Sequence, residues 1–347
     1  MSSKKGEFLS QKIVILGTGG TIAGLSLVPG AGGAYQAAQV DVETLVTQAE
    51  RAGTGTTAQQ NTPSTRPVWV TEQLAQVDSK DMTEAIWQRL LQRVAQLQQD
   101  PGVRAIVITH GTDTLEETAF LLQACWPQGK PVVLTCAMRA SDAPDADGPG
   151  NLRDAIRLAG TPGLTGVRMV CDGLVFEGHV FQKVRTDGVQ PFGAEPIGAI
   201  GECRDGHYQP HQEADLSRAY RALTPAELER LMAASQWPRV EMVMNHVGAD
   251  GWLVQHLLAG SATSPAHERL RGIVLAGTGG GSCSERLAEA LQLAQQQGVW
   301  VWRSTRATWG MVRPGSNDRF IGVPWSPAKA RVAMMLDLLI GRVGTAP

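Results

Sequence analysis

Two loops in this chain carry threonines in a setting that suits nucleophilic chemistry. The first is GTGGTIAG, residues 17 to 24, which places Thr21 among glycines whose backbone can approach a ligand closely. The second is THGTDTLEET, residues 109 to 118, in which Thr112 and Asp113 precede a predicted helix. A threonine hydroxyl is a poor nucleophile at neutral pH, so a base or a polarised proton path must contact it during attack. We therefore regard both loops as parts of a candidate active site.

Local structure offers an alternative explanation for each loop. Thr21 could serve only as the N-terminal cap of the helix that follows it. In the second loop, Thr114 and Glu117 have the spacing of a capping box, and the charge of Asp113 would favour a helix N-terminus. The presence of both loops in one chain favours the catalytic interpretation over two separate caps.

The first loop does not have the glycine pattern of a nucleotide-binding loop. A dinucleotide-binding fingerprint needs glycine three residues after Gly19, where this chain has Ile22. A Walker-type phosphate loop does not fit either, because Gly129 and Lys130 are followed by Pro131. The first loop instead offers two threonines, Thr18 and Thr21, in a segment flexible enough to approach a ligand closely.

Short apolar runs frame these loops and predict strands that are buried on both faces. They are IVILG at 13 to 17, AIVIT at 105 to 109, PVVLT at 131 to 135 and VRMVC at 167 to 171. Helical patterns such as residues 82 to 97 lie between them, so we predict a parallel sheet covered by helices on both faces. Ligands bind outside the carboxyl ends of such strands, and both threonine loops are therefore expected to face one crevice.

The length of 347 residues indicates about two domains. We predict an N-terminal α/β catalytic domain over residues 1 to 204 and a polar connector over residues 205 to 238. Within the connector, TPAELERLM is typical of an N-capped helix. Strand-like and helical stretches alternate again over residues 239 to 347, which predicts a smaller C-terminal α/β domain.

The charge balance argues against a polyanionic partner. Lys and Arg total 31 and Asp and Glu total 33, so we expect neither nucleic acid nor an anionic membrane, and a small neutral or zwitterionic ligand fits better. The five cysteines form no CxxC pair, no HExxH motif occurs, and we expect no metal site. The polar start MSSKKGEFLSQK lacks the core of a signal peptide, which predicts a cytoplasmic protein.

Several segments together resemble bacterial L-asparaginases and glutaminase-asparaginases over nearly the whole chain. They are the two threonine loops, CAMRASDAPDADGPGNLRDA at 136 to 155 and the closing SPAKARVAMML. The resemblance implies a larger N-terminal flavodoxin-like parallel-sheet domain plus a smaller C-terminal α/β domain. It also implies a homodimer or homotetramer with active sites near the subunit contacts, a small-molecule amide substrate, and no metal or organic cofactor.

The resemblance assigns roles to five residues of the candidate site. Thr21 matches the nucleophilic threonine, and Tyr35 matches a tyrosine on the mobile loop, residues 24 to 38, that closes over it. Thr112 and Asp113 match the second threonine and the aspartate that contacts the substrate amino group, and Lys183 completes this second group. Either Tyr35 or the pair of Thr112 and Lys183 could provide the base, and the sequence leaves this choice open.

The segment VDSKDMTEAIW carries a departure from the family pattern. Ser79 matches the serine that binds the substrate α-carboxylate, but Lys80 follows it where many members have Gln, Glu or Asp to hold the α-ammonium. Two like charges about 4 Å apart cost roughly 4 kcal/mol at an effective dielectric constant of about 20. Either Lys80 points away from the ligand, or the substrate lacks that cation.

Two further positions on the ammonium side differ from the family. Gly248 stands where the family has asparagine, and RATWGMVRPGSND lacks an acidic residue at the position of the partner subunit's glutamate unless a gap brings in Asp318. The favoured function is hydrolysis of L-asparagine to L-aspartate and ammonia through a threonine-linked acyl-enzyme. The alternatives are an amidohydrolase of a related ω-carboxamide lacking a free α-ammonium, an amidotransferase-type ammonia donor subunit, and a non-catalytic amino-acid binding protein.

Overall fold

A computed structural model describes residues 11–28, 34–53, 68–204, 207–212, 219–313 and 318–342. The chain forms two compact units, Met1–Ala214 and Asp215–Pro347. The segment predicted as a connector is divided between them. The strand His207–Pro210 belongs to the first unit, and the helix Pro225–Ala233 belongs to the second.

Within its described residues, the first unit contains a large mixed sheet, two short hairpins and four α-helices. Its strands are β1 (Lys12–Gly19), β2 (Leu25–Ser26), β3 (Tyr35–Gln36), β4 (Trp69–Val77), β5 (Val103–Thr109), β6 (Val132–Thr135), β7 (Val167–Cys171), β8 (Leu174–Glu177), β9 (Gln182–Lys183), β10 (Phe192–Gly193), β11 (Gly201–Arg204) and β12 (His207–Pro210). Its α-helices are α1 (Val42–Gly53), α2 (Glu84–Gln99), α3 (Leu115–Cys125) and α4 (Gly148–Ala159).

The eight-stranded sheet has the order β12-β11-β8-β7-β6-β5-β1-β4. Five neighbouring strands of this sheet are parallel, in the order β4, β1, β5, β6 and β7. When these five are renumbered by their order in the chain, the sheet order is 2-1-3-4-5, the flavodoxin-like order. The predicted fold class is therefore confirmed. Strands β8, β11 and β12 extend the sheet in antiparallel fashion, which the sequence analysis did not predict.

The carboxyl ends of β1 and β5 form the topological switch point of this sheet. The two strands are paired, with Ile15 beside Val107 and Gly17 beside Thr109. Along the chain, β1 connects to β4 on one side, whereas β5 connects to β6 on the other side. The loops after β1 and β5 therefore leave the sheet side by side, at the position where open α/β sheets bind ligands.

Apolar side chains on the faces of the sheet fix these strands. Ile13 and Ile15 are fully buried and pack with Leu152 and Ala155 of α4. Helix α2 begins at its Thr83 cap, and its apolar positions at three- and four-residue steps are buried, as the sequence predicted. The switch point is thus supported by a rigid core.

The second unit is a smaller α/β domain, as predicted. Strands β13 (Arg239–Met244), β14 (Leu270–Gly277), β15 (Trp300–Thr305) and β16 (Ile321–Gly322) form a parallel sheet in chain order. Helices α5 (Pro225–Ala233), α6 (Trp252–Thr263), α7 (Glu285–Gln296) and α8 (Pro327–Ile340) complete it. Helix α5 begins with the predicted capping box of Thr224 and Glu227. Among the described residues, no helix is long and apolar enough to cross a membrane.

Candidate active site

Two glycines bring the threonine loops into direct contact. Gly20 has a φ of 81°, and a Cβ built on it would lie 2.2 Å from Gly111 Cα. A Cβ built on Gly111 would lie 2.5 Å from Ser79 Oγ and 2.9 Å from Gly20 Cα. Real Cβ atoms essentially never approach other atoms so closely, so only glycine fits both positions without movement. The loops after β1 and β5 and the segment that carries Ser79 therefore meet at one point.

Thr21 lies immediately beyond this contact and faces Tyr35. The hydroxyl oxygens of Thr21 and Tyr35 are 2.8 Å apart, and Thr21 is only 6% exposed. Thr21 is the first residue of a short 3-10 helix, Thr21–Ala23, whose N-cap is Gly20. The alternative explanation of Thr21 as a helix cap is therefore wrong. Its hydroxyl is directed at another side chain instead.

The other threonine of the first loop has a structural contact. The Thr18 hydroxyl donates a hydrogen bond to the carbonyl oxygen of Thr109 at 2.9 Å, and Thr18 is buried. This bond ties the end of β1 to the end of β5. Of the two threonines in the loop, Thr21 is therefore the one whose hydroxyl contacts an ionisable side chain, that of Tyr35.

A second polar group forms around Lys183. Its Nζ lies 2.9 Å from Thr112 Oγ1 and 2.6 Å from Asp113 Oδ1. Thr112 is buried, whereas the Asp113 side chain is 48% exposed. The structure thus places together the three residues that the resemblance grouped. A substrate could contact Asp113 from the solvent side while Thr112 stays enclosed.

Lys183 owes its position to the hairpin of β9 and β10 and to helix α3. Lys183 pairs with Phe192 across the hairpin, and Phe192 packs edge-on against the buried Phe181 at 5.3 Å between ring centroids. The backbone N–H of Lys183 donates to Glu116 Oε2 at 2.6 Å. The sequence analysis missed Glu116 as a support, although its place in the first turn of α3, just after Asp113, is a usable signal.

Ser79 is held by the second threonine loop. Its Oγ accepts a hydrogen bond from the backbone N–H of Asp113 at 3.1 Å, and its carbonyl oxygen accepts one from Thr114 Oγ1 at 2.8 Å. Thr114 is the N-cap residue of α3, but its side chain makes no capping hydrogen bond. The predicted capping box of Thr114 and Glu117 is therefore wrong, because the Thr114 hydroxyl donates its hydrogen bond to the carbonyl oxygen of Ser79 instead.

Lys80 forms ion pairs with two carboxylates that lie close to it in the chain. Its Nζ lies 2.5 Å from Asp78 Oδ2 and 3.4 Å from Asp81 Oδ2, and its side chain is 61% exposed. The hydrogen bond to Asp78, followed by that to Asp81, raises the pKa of Lys80 above its usual value. Lys80 is therefore charged, and its charge is compensated locally.

His110 supports the second loop from inside the protein. It is fully buried, and burial lowers its pKa to about 4, so the imidazole is neutral at neutral pH. Its Nδ1 lies 2.7 Å from the carbonyl oxygen of Gly111 and must carry the proton, which leaves Nε2 to accept from the Thr118 hydroxyl at 3.0 Å. Trp87 Nε1 donates to the same hydroxyl at 2.9 Å. His110 is therefore a packed loop residue rather than an exposed base.

The remaining candidates have structural partners. Arg139, in the segment 136 to 155 that carries part of the resemblance, pairs with Asp145 at 3.1 Å. In the second unit, Asp318 forms an ion pair with Arg303, and Gly248 has a positive φ of 80°. Among the described residues, no group of three or more His, Cys, Asp or Glu could hold a metal ion.

Comparison with known proteins agrees with this fold and identifies the family. Residues 12–216 match the model of the N-terminal asparaginase domain, and residues 239–342 match that of the glutaminase/asparaginase C-terminal domain. L-asparaginase 2 of Bacillus subtilis strain 168 is 31% identical over 94% of this chain and 82% of its own length. Glutaminase-asparaginase of Pseudomonas fluorescens biotype A is 30% identical over 94% of this chain and 86% of its own.

Among solved structures, the probable cytoplasmic L-asparaginase from Campylobacter jejuni superposes with a TM-score of 0.81. It is 30% identical in sequence, and the match covers 97% of this chain and 96% of that one. The chain therefore belongs to the asparaginase family. It is an L-asparaginase-type amidohydrolase, an enzyme that hydrolyses the carbon–nitrogen bond of linear amides.

Proposed function

We propose that this enzyme hydrolyses L-asparagine to L-aspartate and ammonia through an acyl-enzyme on Thr21. The observation that carries the proposal is the 2.8 Å hydrogen bond between the buried Thr21 hydroxyl and Tyr35. A nucleophilic hydroxyl needs a proton acceptor within hydrogen-bond distance, and Tyr35 occupies that place. We therefore favour Tyr35 over the pair of Thr112 and Lys183 as the group that first takes the proton.

The acylation step can be written with its protons in balance. Thr21 Oγ1 bonds to the carboxamide carbon while its proton moves to the Tyr35 hydroxyl oxygen, and Tyr35 passes its own proton to the amide nitrogen. The carbon–nitrogen bond then breaks and ammonia leaves, with the acyl group bound as an ester to Thr21. Water attacks the ester by the reverse proton path, which releases the carboxylic acid and restores Thr21.

The group of Thr112, Asp113 and Lys183 complements this step from the second loop. Lys183 Nζ polarises the Thr112 hydroxyl at 2.9 Å, and we propose that this hydroxyl orients the bound amide beside Thr21. Asp113 carries a partly exposed carboxylate, which suits an ammonium ligand. Ser79 lies next to Asp113 and offers its hydroxyl to the substrate α-carboxylate.

The ion pairs of Lys80 favour a substrate that carries a free α-ammonium. An uncompensated lysine would repel such a cation by roughly 4 kcal/mol at about 4 Å and an effective dielectric constant of about 20. The carboxylates of Asp78 and Asp81 offset that charge and draw Nζ toward themselves. We therefore favour L-asparagine over an ω-carboxamide without the ammonium.

Ammonia release from a panel of amides tests this function. The panel is L-asparagine, D-asparagine, L-glutamine, N-acylated asparagine and succinamic acid at one pH. We expect L-asparagine to be turned over fastest, Thr21→Ala to lack activity and Thr21→Ser to retain measurable turnover because it keeps a hydroxyl. Faster turnover of succinamic acid or N-acylated asparagine would instead identify the substrate as an amide without the α-ammonium.

Assembly and location complete the proposal. We propose a homodimer or homotetramer that acts on a small-molecule amide and binds neither nucleic acid nor membrane. We also propose a cytoplasmic location, which the similarity to the probable cytoplasmic L-asparaginase of Campylobacter jejuni supports, although a similar protein of Haemophilus influenzae is a probable periplasmic L-asparaginase. Light scattering by the purified protein in solution measures its mass and so distinguishes monomer, dimer and tetramer. A monomeric and fully active enzyme would contradict the proposed assembly, and recovery from the periplasmic fraction would contradict the proposed location.

A further inference from the structure

Tyr35 is carried by a short hairpin formed by β2 and β3, which we call the Tyr35 hairpin. The strands are antiparallel, and Ser26 lies directly opposite Tyr35. The Tyr35 side chain reaches back to Thr21, although Tyr35 itself is 40% exposed. Two residues per strand give little stability alone, so the position of Tyr35 depends on what holds the hairpin. Residues 29–33, part of the predicted mobile loop, lie outside the described residues.

Ser141 and Asp142 hold the Tyr35 hairpin through Gly24, the residue before β2, and Ser26, the last residue of β2. The backbone N–H and the hydroxyl of Ser26 both donate to Asp142 Oδ1, each at 2.8 Å. The backbone N–H and the hydroxyl of Ser141 both donate to the carbonyl oxygen of Gly24, at 2.9 and 2.8 Å. The strand opposite Tyr35 is thus held by four hydrogen bonds from a segment more than a hundred residues away in the chain.

The segment that supplies these bonds is itself fixed by a second carboxylate. Asp147 accepts hydrogen bonds from the backbone N–H groups of Met138 and Arg139, both at 3.0 Å, and from Asn151 Nδ2 at 3.2 Å. Asn151 lies buried in α4. The hydrogen bonds therefore connect α4 to the segment with Asp142, this segment to the Tyr35 hairpin, and the hairpin to Thr21.

We propose that Asp142 is a positioning residue that holds Tyr35 at hydrogen-bond distance from Thr21 through its two bonds to Ser26. The consequence for catalysis rests on the proposed role of Thr21, but the structural effect on Tyr35 does not. Hydrogen bonds to an ionised acceptor are about twice as strong as neutral ones, so a carboxylate suits this task. The two donors of Ser26 lower the pKa of Asp142, which keeps it ionised at neutral pH.

The chain allows a direct structural test because it contains three tyrosines. Protein labelled with 3-fluorotyrosine should give one ¹⁹F resonance each for Tyr35, Tyr208 and Tyr220, and Tyr35→Phe identifies the first. In Asp142→Ala we expect the Tyr35 resonance to shift or broaden while the other two stay unchanged. The matched control is Asp145→Ala, which removes a neighbouring exposed carboxylate that pairs with Arg139 and leaves Asp142 in place.

Isosteric and partial variants keep the test valid if Asp142→Ala fails to fold. Asp142→Asn retains an oxygen acceptor without the charge, and Ser26→Ala removes one of the two donors. Both should give Tyr35 resonances between those of the wild-type protein and Asp142→Ala. A Tyr35 resonance that is the same in all these variants and in the wild-type protein would overturn the proposal.

Kinetics separate positioning of Tyr35 from a general structural role. We expect Asp142→Ala to lower kcat for L-asparagine about tenfold, with Asp142→Asn restoring part of the loss. In a Tyr35→Phe background, Asp142→Ala should lower kcat by less than about twofold, because the tyrosine hydroxyl that Asp142 positions is already missing. Full additivity of the two changes would overturn the catalytic part. Absence of turnover in the wild-type enzyme would refute the proposed function, while the ¹⁹F result would still decide the role of Asp142.

Discussion

Each unit of this protein contains a loop that begins GTGG at the end of a buried strand. In the first unit, residues 17 to 20 span the end of β1, and in the second unit, residues 277 to 280 begin at the last residue of β14. The threonine inside each GTGG sequence, Thr18 or Thr278, binds a backbone carbonyl, but the first loop continues with Thr21 where the second continues with Gly281. Thr21 faces Tyr35, which comes from a separate hairpin. Thr278 faces Ser282, which comes from the same loop.

The second loop satisfies its own polar groups. Thr278 and Ser282 exchange two backbone hydrogen bonds at 2.8 and 2.9 Å, and the Thr278 hydroxyl donates to the carbonyl oxygen of Ser282 at 3.1 Å. The Thr278 hydroxyl is thus bound within its own turn, with Asn245 Nδ2 donating to it at 3.4 Å, whereas the Thr21 hydroxyl is bound to the phenol of Tyr35. The comparison teaches that a glycine–threonine loop becomes a reactive site through the groups that other elements place opposite it.

Removal of the two hydroxyls should separate these roles most clearly. We expect Thr21→Ala to lower kcat for L-asparagine by more than about a thousandfold, because no other group replaces the nucleophile. Thr278→Ala should chiefly lower the free energy of unfolding, by about 1 kcal/mol, through the lost hydrogen bond. Ammonia release and urea denaturation of both variants measure the contrast. Equal loss of activity in the two variants would show that the comparison is wrong.

The fourth residue of each GTGG sequence offers a steric version of the same test. Gly20 has a positive φ and contacts Gly111, so Gly20→Ala should cost about 3 kcal/mol of stability through strain and overpacking. A Cβ on Gly280 would have nothing within 4 Å, so Gly280→Ala should change the free energy of unfolding by less than about 0.5 kcal/mol. Urea denaturation of the pair measures the difference, and similar values would contradict the close contact at Gly20.

Lys183 should matter to catalysis more than to stability. Lys183→Met removes the ammonium from Thr112 and Asp113, and we expect kcat to fall about a hundredfold. The matched control is Lys130→Met, since Lys130 Nζ donates hydrogen bonds to the carbonyl oxygens of Leu97 and Asp100. The control should retain kcat while losing some stability. Equal kcat losses in both variants would refute the assignment.

The smallest expected effect concerns the pH dependence of stability in the first unit. The pKa of His110 is about 4 in the folded protein and about 6.5 when unfolded, so between these values the unfolded state binds more protons. Stability therefore falls as the pH decreases, by about 2 kcal/mol from pH 7 to pH 5 for this group alone. Glu177 acts in the opposite sense, because burial raises its pKa to about 6.

A comparison with His110→Gln isolates the contribution of the histidine. The variant keeps Glu177, so the difference between the two pH profiles of unfolding free energy reports His110 alone. We expect the variant to lose less stability than the wild-type protein between pH 7 and pH 5. Parallel profiles would show that the imidazole is not held neutral in the fold.

The sequence predicted the elements whose signals are local. Apolar runs identified β1, β5, β6 and β7, and the resemblance supplied the flavodoxin-like order that the sheet confirms. The same reasoning missed the antiparallel extension by β8, β11 and β12, since short strands of mixed polarity leave little pattern. The division into a smaller α/β unit was also recognisable, because strand-like and helical patterns alternate again after residue 239.

The contacts of the candidate site could be predicted only where the resemblance supplied them. Capping statistics misassigned Thr114, because the Ser79 carbonyl that takes its hydroxyl lies 35 residues earlier in the chain. The bonds between Ser26 and Asp142 span 116 residues and leave no local pattern. Lys80 is an intermediate case. Its neighbours Asp78 and Asp81 were visible in the sequence, but only the structure shows that both reach its ammonium.

The contact between Gly20 and Gly111 joins two segments that lie far apart in the chain, so the site can form only after both have been synthesised. The loop with Thr21 leaves the ribosome early, but its neighbours in the sheet and the hairpin with Lys183 are translated much later. Chains released before residue 183 would contain the proposed nucleophile without the lysine that completes the group. A nascent chain that ends before residue 183 therefore lacks one group of the proposed site, and the site is assembled only after most of the first unit has been translated.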